Sequence, residues 1–322
     1  MGFFFVSFVV FFVILVNYFF LARKLNITDR PNQRSSHSGS TVTGAGFIFP
    51  LAFTAALFLT NTFVNLRATV AGLFLLTCIS YLDDLKAVKK IPRIIVQVIS
   101  VWLILWQTGG LFHMTIWTII LAFIFVVGII NAYNFMDGIN GVTALYSLVT
   151  IGTLFYLSKH GYSRLPKEEV FICMIAALVA FSFFNIRGKA LLFCGDVGSI
   201  TLAYIISFLI MYMMIQDDSG KWILLIGVYG LDSVATISLR IFRGENIGEA
   251  HRTHFYQYLT TGRKISHMLV SVLYAVVQLL LNWSLISLST FSAVGIYIVI
   301  VSVYIFFRVK LEGKKRLFFK YY

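Results

Sequence analysis

Apolar stretches long enough to cross a bilayer fill almost the whole chain, and they limit its fold more than any other feature. A spanning helix needs about 20 mainly apolar residues, within a range of about 17–25. By that measure we predict eleven spans, the third of them short, at 2–22, 47–64, 67–82, 91–107, 114–131, 141–157, 169–186, 199–215, 222–239, 266–284 and 289–307. No repeat, heptad or low-complexity linker interrupts them. The sequence predicts an all-α integral membrane protein with about eleven transmembrane helices in a single domain, 1–322.

Composition excludes several other classes of protein. The chain is 59% hydrophobic and only 12% charged, which is too little charge to cover a soluble domain of this size. Apolar runs continue along the chain from Phe3, so the first of them is not a signal peptide leading a polar protein. Three cysteines without paired spacing indicate neither a disulfide framework nor a zinc site. The net charge of +13 fits membrane orientation and anionic lipid, and no motif indicates a nucleic-acid partner.

The distribution of positive charge predicts the orientation. Of the 26 Lys and Arg residues, 21 fall in the loops at 23–46, 83–94, 187–198 and 240–265 and in the tail from Arg308. Loops rich in Lys and Arg stay in the cytoplasm. We therefore predict an outside N-terminus and a basic, aromatic tail at the cytoplasmic headgroup surface.

Five aspartates lie at or within the predicted spans, where charge is costly and commonly functional. Asp83 and Asp84 end the third span, and Asp137 follows the fifth in 131-NAYNFMDGINGV. Asp196 precedes the eighth span in 195-GDVGS, and Asp232 lies within the ninth. All except Asp232 fall on the predicted cytoplasmic face. The sequence therefore predicts a functional site on that face.

The residue types of these segments point to phosphate and magnesium chemistry. Carboxylate and amide oxygens suit Mg²⁺, which prefers sites completed by substrate phosphates. Gly195, Gly198 and Ser199 surround Asp196 at a predicted helix N-terminus, where free N–H groups and the helix dipole favour an anion. Gly138 allows the backbone near Asp137 to approach a ligand closely.

A basic segment, 249-EAHRTHFYQYL, follows the ninth span. Two histidines three residues apart would share one face of a helix, with Arg252 beside them. Such a pair could bind metal or be a satisfied structural pair. Arg240 and Arg243 upstream favour instead an anionic, diphosphate-bearing ligand.

The remaining histidines are weaker candidates. His37, in 35-SSHSG, is a candidate on the cytoplasmic face, and loop capping explains it equally well. His113, His160 and His267 are expected at membrane or loop surfaces.

Taken together, these motifs resemble the polyprenyl-phosphate N-acetylhexosamine-1-phosphate transferases of glycosyltransferase family 4. The resemblance covers essentially the full length from 29-DRPNQRSSH onward, with the motifs in the family's order and spacing. They are 83-DDLKAVKKIPRIIVQ, 131-NAYNFMDGING, 195-GDVGS, 229-YGLDS and 251-HRTHFYQ. Departures are Asn140 where many members carry Asp, 41-TVTGAG in place of TPRGGG, Ser80 in place of Gly, and 187-RGK in place of a Pro-Ala stretch. They bear on substrate specificity more than on the reaction class.

The resemblance implies roles for individual residues. The implied catalytic residues are Asp83, Asp84 and Asp137, of which the first two are linked to the lipid phosphate. The implied metal ligands are Asp196 and Asn134, for Mg²⁺ or for Mn²⁺ in its place. The implied substrate-binding residues are Arg93, Asn131, Asn140, Asp232, His251, Arg252 and His254.

The resemblance also implies a reaction: transfer of a hexosamine 1-phosphate from a UDP-N-acetylhexosamine to undecaprenyl phosphate, releasing UMP, at the bacterial inner membrane. HRTHFYQ is most similar to the O-antigen-initiating branch, which uses modified hexosamines, and plain GlcNAc is the alternative. Relatives are often homodimers. A secondary transporter or flippase would also explain eleven spans, but transporters keep key polar residues near the midplane, where only Asp232 lies. A structural scaffold would leave the other four aspartates without a purpose.

Overall fold

The helices of the computed structural model follow the apolar runs closely; it describes residues 1–29, 40–161, 165–249 and 251–318. The α-helices are α1 (Gly2–Lys24), α2 (Ile48–Leu59), α3 (Arg67–Leu85), α4 (Lys90–Gln107), α5 (Gly110–His113), α6 (Ile116–Met136), α7 (Val142–Lys159), α8 (Glu168–Asn185), α9 (Gly195–Asp217), α10 (Gly227–Phe242), α11 (Phe255–Gln257), α12 (His267–Ser287), α13 (Thr290–Glu312) and α14 (Lys314–Phe318). Short 3₁₀ turns at Ala45–Phe47, Val64–Leu66 and Gly220–Ile226 precede α2, α3 and α10, and a π-helical turn, Tyr258–Gly262, follows α11.

Ten helical segments in these ranges are long and apolar enough to cross a membrane. They contain α1, α3, α4, α6, α7, α8, α9, α10, α12 and α13. The predicted span 47–64 corresponds to a shorter apolar helix, Ala45–Leu59, which packs against α8 and α9. The all-α integral membrane class is therefore confirmed, with ten long helices and one short one in place of eleven full spans. The predicted orientation stays a prediction.

Helix α9 forms the centre of the bundle. It packs against α2, α3 and α6, and nearly all of its side chains are buried. Four of those buried side chains, Ser199, Thr201, Tyr204 and Ser207, carry hydroxyl groups. Thr201 returns its hydroxyl to the Val197 carbonyl at 2.5 Å, which satisfies the polar group within the helix. A helix enclosed in this way holds its N-terminal residues in a fixed place relative to the neighbouring helix ends.

A two-stranded hairpin closes the same end of the bundle. Strands β1 (Thr28–Asp29) and β2 (Thr41–Val42) pair antiparallel, with Thr28 opposite Val42. The Val42 carbonyl then accepts a hydrogen bond from the Phe193 amide at 2.7 Å. The hairpin thus joins the chain after α1 to the segment that enters α9.

Three predicted boundaries are wrong in ways that matter for the site. Helix α9 begins at Gly195 instead of residue 199, and α3 continues to Leu85 instead of residue 82. Both extensions come from a contact between the two helix ends, which local composition does not reveal. In the segment expected to be helical from residue 249, residues 251–254 adopt no regular secondary structure, and only Phe255–Gln257 is α-helical.

Candidate active site

A cavity of about 520 Å³ opens where α3, α6 and α9 meet the hairpin. Its lining mixes carboxylates, amides and backbone, as expected of a site for a polar ligand. The lining residues are Thr28, Asp29, Thr43, Asp83, Asp84, Asn134, Asp137, Gly138, Ile139, Asn140, Asn185, Phe193, Cys194, Gly195, Asp196, Gln257 and His267. The four aspartates predicted from separate motifs at the membrane edge therefore share one cavity.

Arg93 joins two of these aspartates. Its Nη1 donates to Asp83 Oδ2 at 2.5 Å, and its Nη2 donates to Asp196 Oδ2 at 2.8 Å. The Val88 amide donates to the other Asp83 oxygen at 2.6 Å, in the loop between α3 and α4. A planar guanidinium suits this task because its donors point in fixed directions toward two acceptors. Arg93 therefore allows two carboxylates to lie side by side at the cavity.

Asp84 has a different role from its neighbour. Its two oxygens accept hydrogen bonds from the Asp196 and Val197 amides, at 2.8 and 3.0 Å. These amides belong to the first turn of α9, whose N–H groups lack partners within the helix and whose dipole favours an anion. Gly195 has a positive φ of 72°, and a Cβ there would collide with the Asp84 carboxylate. Asp84 thus caps α9 and places Asp196 at the cavity.

The second glycine of GDVGS permits a close backbone contact. A Cβ on Gly198 would lie 2.6 Å from the Gly46 Cα, which is too close for any side chain. The Ala45 and Gly46 amides donate to the Phe193 and Cys194 carbonyls at 3.1 and 2.9 Å. The segment 41-TVTGAG, although it departs from the family pattern, therefore still lets the backbone before α2 pack against the start of α9.

Asp137 lies just past the end of α6 and is enclosed. Its Oδ1 accepts a hydrogen bond from the Thr143 hydroxyl at 2.6 Å. Burial and, to a smaller extent, the nearby Asp196 carboxylate raise the pKa of Asp137 to about 7, although the Thr143 hydrogen bond opposes the rise. The side chain is thus poised between its charged and neutral forms near neutral pH, as perturbed groups in active sites often are.

Two asparagines complete the polar lining. Asn134, one turn before the end of α6, accepts a hydrogen bond from the Ser199 hydroxyl at 3.0 Å. Asn140 donates its side-chain amide to the Arg187 carbonyl at 2.8 Å, and its backbone N–H points to His267 Nδ1 at 3.4 Å. Asn140 therefore links the cavity to the 187-RGK loop, which is another departure from the family pattern.

The oxygen donors fit a hard divalent cation better than a soft one. In the described part of the chain, no group of three or more His, Cys, Asp and Glu side chains forms a metal cluster. Mg²⁺ does not need one, because it binds through one or two carboxylates, water and substrate phosphates. Asp196 and Asn134 both expose oxygens to the cavity from adjacent helices, α9 and α6. This donor set fits the predicted metal.

Asp232 lies in a separate, closed cluster and not in the cavity lining. Its Oδ1 accepts from the Phe255 amide, His254 Nδ1 and the Thr236 hydroxyl, at 3.1, 3.1 and 3.2 Å. Its Oδ2 accepts from the Tyr274 hydroxyl at 2.5 Å and from the Tyr256 amide at 3.3 Å. Both oxygens are fully used by groups of the chain. The geometry therefore gives Asp232 a positioning role for the segment 251–257.

That segment brings the two histidines together without a helix. The rings of His251 and His254 stack with centroids 5.0 Å apart, and Phe135 lies 5.9 Å from the His251 ring. The chain before α11 is not helical because the Asp232 carboxylate binds the amides that begin that helix. Burial, His254 and Arg240 lower the pKa of His251 to about 4. His251 is therefore a neutral hydrogen-bonding group near neutral pH when no anionic ligand is bound.

Other residues predicted for the site lie outside the cavity lining. Asn131 returns its side-chain amide to the Val127 carbonyl at 2.8 Å, one turn back on α6. Arg252 is half-buried in the non-helical segment before α11. Neither of them lines the cavity. His37 and most of 29-DRPNQRSSH lie outside the described residues.

Several side chains that line the cavity were not predicted from the sequence, among them His267 and Gln257. His267 was expected at a surface, yet as the first residue of α12 it faces the Asn140 amide. Gln257 was quoted only as part of HRTHFYQ. A serine before His267 that caps α12 is the one local signal that the helix begins there.

Known proteins resemble this chain over most of its length. The family model described as glycosyl transferase family 4 matches residues 66–214. The probable undecaprenyl-phosphate N-acetylglucosaminyl 1-phosphate transferase of Bacillus subtilis (strain 168) is 24% identical over 274 residues, covering 80% of this chain and 76% of the relative. A phospho-N-acetylmuramoyl-pentapeptide-transferase of Dictyoglomus thermophilum is 30% identical over 261 residues, covering 74% and 81%. That of Campylobacter jejuni is 36% identical over 151 residues, or 41% of each chain.

The motifs that line the cavity, from Asp83 to Asp196, fall inside the matched range 66–214. The chain therefore belongs to the polyprenyl-phosphate N-acetylhexosamine-1-phosphate transferases of glycosyl transferase family 4, and is a multi-pass enzyme of the bacterial inner membrane.

Proposed function

We propose that the protein transfers a hexosamine 1-phosphate from a UDP-N-acetylhexosamine to undecaprenyl phosphate and releases UMP. The observation that carries the proposal is the Arg93-bridged pair Asp83 and Asp196, held at the N-terminus of α9 inside the cavity. Phosphoryl transfer needs positioning and charge stabilisation more than covalent chemistry from the protein. Fixed carboxylates and a guanidinium at one cavity provide both.

The chemical step that we favour is direct attack by the lipid phosphate. An oxygen of undecaprenyl phosphate forms a bond to the sugar-bearing phosphorus of the nucleotide. The bond from that phosphorus to the bridging oxygen breaks, and UMP leaves with the electron pair. By analogy with phosphorylated side chains, whose second pKa is about 6, the attacking phosphate is largely dianionic near neutrality. Asp83 then positions Arg93 and the acceptor and need not remove a proton.

We propose Mg²⁺ as the metal, with Mn²⁺ as a substitute, held by Asp196 and Asn134 together with phosphate oxygens of the substrate. When bound, the ion supplies positive charge that offsets the charge of the diphosphate. Asp84 contributes indirectly, because its two hydrogen bonds hold the first turn of α9 and with it the Asp196 side chain. Asp137, at the end of α6, faces the same cavity and binds on the nucleotide side in this proposal.

For the sugar, the form HRTHFYQ supports a modified N-acetylhexosamine of the kind that starts O-antigen. The Bacillus subtilis relative is named as an N-acetylglucosaminyl 1-phosphate transferase, which favours plain GlcNAc as the second candidate. The transporter alternative depended on Asp232. That residue is enclosed and hydrogen-bonded on both oxygens, which is unsuited to a moving ion or substrate.

The test is the mass of the lipid product. Purified protein in detergent is incubated with undecaprenyl phosphate, Mg²⁺ and, in separate reactions, UDP-GlcNAc, UDP-GalNAc, UDP-QuiNAc and UDP-FucNAc. We expect a lipid diphospho-N-acetylhexosamine with one donor preferred, its formation abolished by EDTA and restored by excess Mg²⁺. Folded protein that forms no such lipid with any donor would contradict the proposal, and flux assays would then test the transporter.

A further inference from the structure

One polar atom in the cavity wall has no partner. Gln257 is only 8% exposed and lines the cavity, yet its Oε1 atom is enclosed and has no hydrogen-bond partner among the described residues. Burying an amide oxygen without a hydrogen bond is costly, and such atoms are rare in folded proteins. Of the ten buried side-chain atoms of this kind among the described residues, Gln257 Oε1 is the one whose residue lines the cavity, which points to a group that a ligand satisfies.

The backbone of Gln257 is firmly held. The two residues before it donate their amides to Asp232, and its own carbonyl accepts from the Thr260 and Thr261 hydroxyls at 3.0 and 2.6 Å. Because the backbone cannot turn away, the carboxamide stays at the cavity wall.

Neighbouring groups restrict the side chain as well. A methyl group at Gly138 would lie only 3.2 Å from Gln257 Nε2, so this glycine leaves room for the carboxamide beside Asp137. The adjacent Tyr256 hydroxyl donates to the Phe135 carbonyl at 2.8 Å and is therefore already engaged as a donor. Nothing in these contacts supplies a donor to Oε1.

A second buried glutamine shows what a purely structural one looks like. Gln278, fully enclosed on α12, accepts from the Tyr146 hydroxyl at 2.5 Å and from the Val228 amide at 3.0 Å. Its Nε2 donates to the Leu224 carbonyl and to Asn282 at 2.8 and 2.6 Å. Both polar atoms of the Gln278 side chain are hydrogen-bonded, whereas Gln257 has an acceptor oxygen that no described residue hydrogen-bonds.

We infer that Gln257 is a specificity-determining residue that accepts a hydrogen bond from the transferred sugar, through a hydroxyl or the acetamido N–H. This rests on the proposed function. An acceptor oxygen does not match the phosphates, which offer acceptors of their own, nor the polyprenyl chain, which offers no polar group. Among the substrates, the nucleotide sugar carries hydroxyl and amide donors. Donors of the uridine half are distinguished from donors of the sugar by the inhibition constant of UMP.

The test uses Gln257→Leu, which keeps the approximate shape and removes both polar atoms, with Gln278→Leu as the matched control. The kcat/KM for the preferred UDP-sugar, the KM for undecaprenyl phosphate, the inhibition constant of UMP and the melting temperature without substrate are measured for each. For Gln257→Leu we expect kcat/KM for the UDP-sugar to fall about 10- to 100-fold, as for loss of one buried hydrogen bond. The UMP inhibition constant and the KM for the lipid should not change.

Stability separates this role from a structural one. Gln257→Leu removes the unpaired buried oxygen together with Nε2, whose one partner among the described residues is the Tyr256 hydroxyl, so its melting temperature should stay close to that of the wild type. Gln278→Leu should melt lower, because it leaves four hydrogen-bonding partners of Gln278 unsatisfied. It should keep the wild-type kcat/KM per folded protein. A Gln257→Leu protein that melts lower and keeps its kcat/KM would overturn the inference. So would a parallel rise in the UMP inhibition constant, which would place the contact on uridine.

The source of the donor is found by repeating the comparison with UDP-glucose as a competing ligand. If Gln257→Leu loses less affinity for UDP-glucose than for UDP-GlcNAc, the donor is the acetamido N–H. If it loses the same affinity for both, the donor is a hydroxyl. If the wild type released no UMP, the proposed function would fail by itself. The inference would then be judged by binding: the rise in melting temperature caused by UDP-GlcNAc should shrink in Gln257→Leu while the rise caused by UMP persists, and equal rises would overturn it.

Discussion

The cavity and the Asp232 cluster are both built around buried aspartates, yet they differ in what satisfies the carboxylates. In the cavity, Asp83 and Asp196 share one guanidinium, and Asp196 and Asp137 both line the open volume. In the cluster, five donors of the chain surround Asp232 and leave no oxygen for a ligand. A buried carboxylate is thus available for chemistry only when the fold leaves some of its acceptor capacity unused.

The two regions are also connected. Asp232 fixes the start of α11, and α11 carries Gln257 into the cavity wall. Arg308, from the last long helix, adds a hydrogen bond to the Thr253 carbonyl at 2.8 Å. The closed cluster therefore acts on the reaction through position, and its loss should appear first in stability.

The largest effect that would sharpen this comparison comes from Arg93→Gln. Without the guanidinium, Asp83 and Asp196 repel each other and the metal-binding carboxylate loses its position. We expect UMP release per folded protein to fall about 10²- to 10³-fold, as for other preorganised charge-stabilising groups. Arg67→Gln, at the opposite end of α3 in a separate pocket, is the control and should keep the wild-type rate. A rate for Arg93→Gln within tenfold of wild type would show that the bridge is dispensable.

Asp232→Asn should act mainly on stability. The substitution removes the charge and sets an amide N–H₂ against donors that need an acceptor, so we expect a loss of about 3 kcal/mol in the free energy of unfolding. Melting in detergent checks this. The neighbouring Ser233→Ala is the control, because no described residue hydrogen-bonds the buried Ser233 hydroxyl and its loss should not lower the melting temperature. Full stability with abolished activity for Asp232→Asn would instead favour a transported ion or proton at this residue.

A smaller effect is expected from Asp84→Asn. One of the two amides at the start of α9 loses its acceptor, and the charge that complements the helix dipole is gone, at about 1 kcal/mol of stability. Because the cap positions Asp196, the rate should fall as well, by roughly tenfold. Glu169→Gln, which removes an exposed carboxylate from the first turn of α8, should change neither quantity by much. An Asp84→Asn protein with wild-type rate and melting temperature would show that the cap is not needed.

The smallest effect concerns His251 and pH. Its pKa is lowered to about 4 in the folded state by burial and by His254 and Arg240, and the unfolded value is about 6.5. Between these values the unfolded chain binds a proton that the folded protein does not, so stability falls as pH falls from about 6.5 to 4. His251→Gln should lose less melting temperature over that window than the wild type, and the exposed His160→Gln should match the wild type. An equal loss in all three proteins would contradict the neutral state of His251.

Much of this molecule is predictable from its sequence, because hydropathy sets the spans and separate motifs each place an acid at a span end. Asp83, Asp84, Asp137 and Asp196 were expected on one membrane face, and the structure brings all four into one cavity. The role of Asp232 was not predictable, since four of its five partners lie 22 to 42 residues away along the chain. The role of Gln257 was not predictable either, because an unpaired oxygen is recognised only once the positions of all neighbouring residues are known.

The helical expectation for the segment after residue 249 failed for a related reason. Spacing of the two histidines fits a helix, but the Asp232 carboxylate captures the amides at the start of α11, and the preceding residues stay non-helical. A single tertiary hydrogen-bond acceptor therefore outweighs local periodicity at this point.

The most direct test of the account is the initial rate of UMP release by wild type and Asp196→Asn from the same preparation, with the preferred UDP-sugar, with Mg²⁺, and with or without undecaprenyl phosphate. The account predicts release by the wild type only when the lipid is present, and a loss of at least about 10³-fold in Asp196→Asn without a lower melting temperature. Lipid-independent release, or an Asp196→Asn protein as active as the wild type, would contradict it.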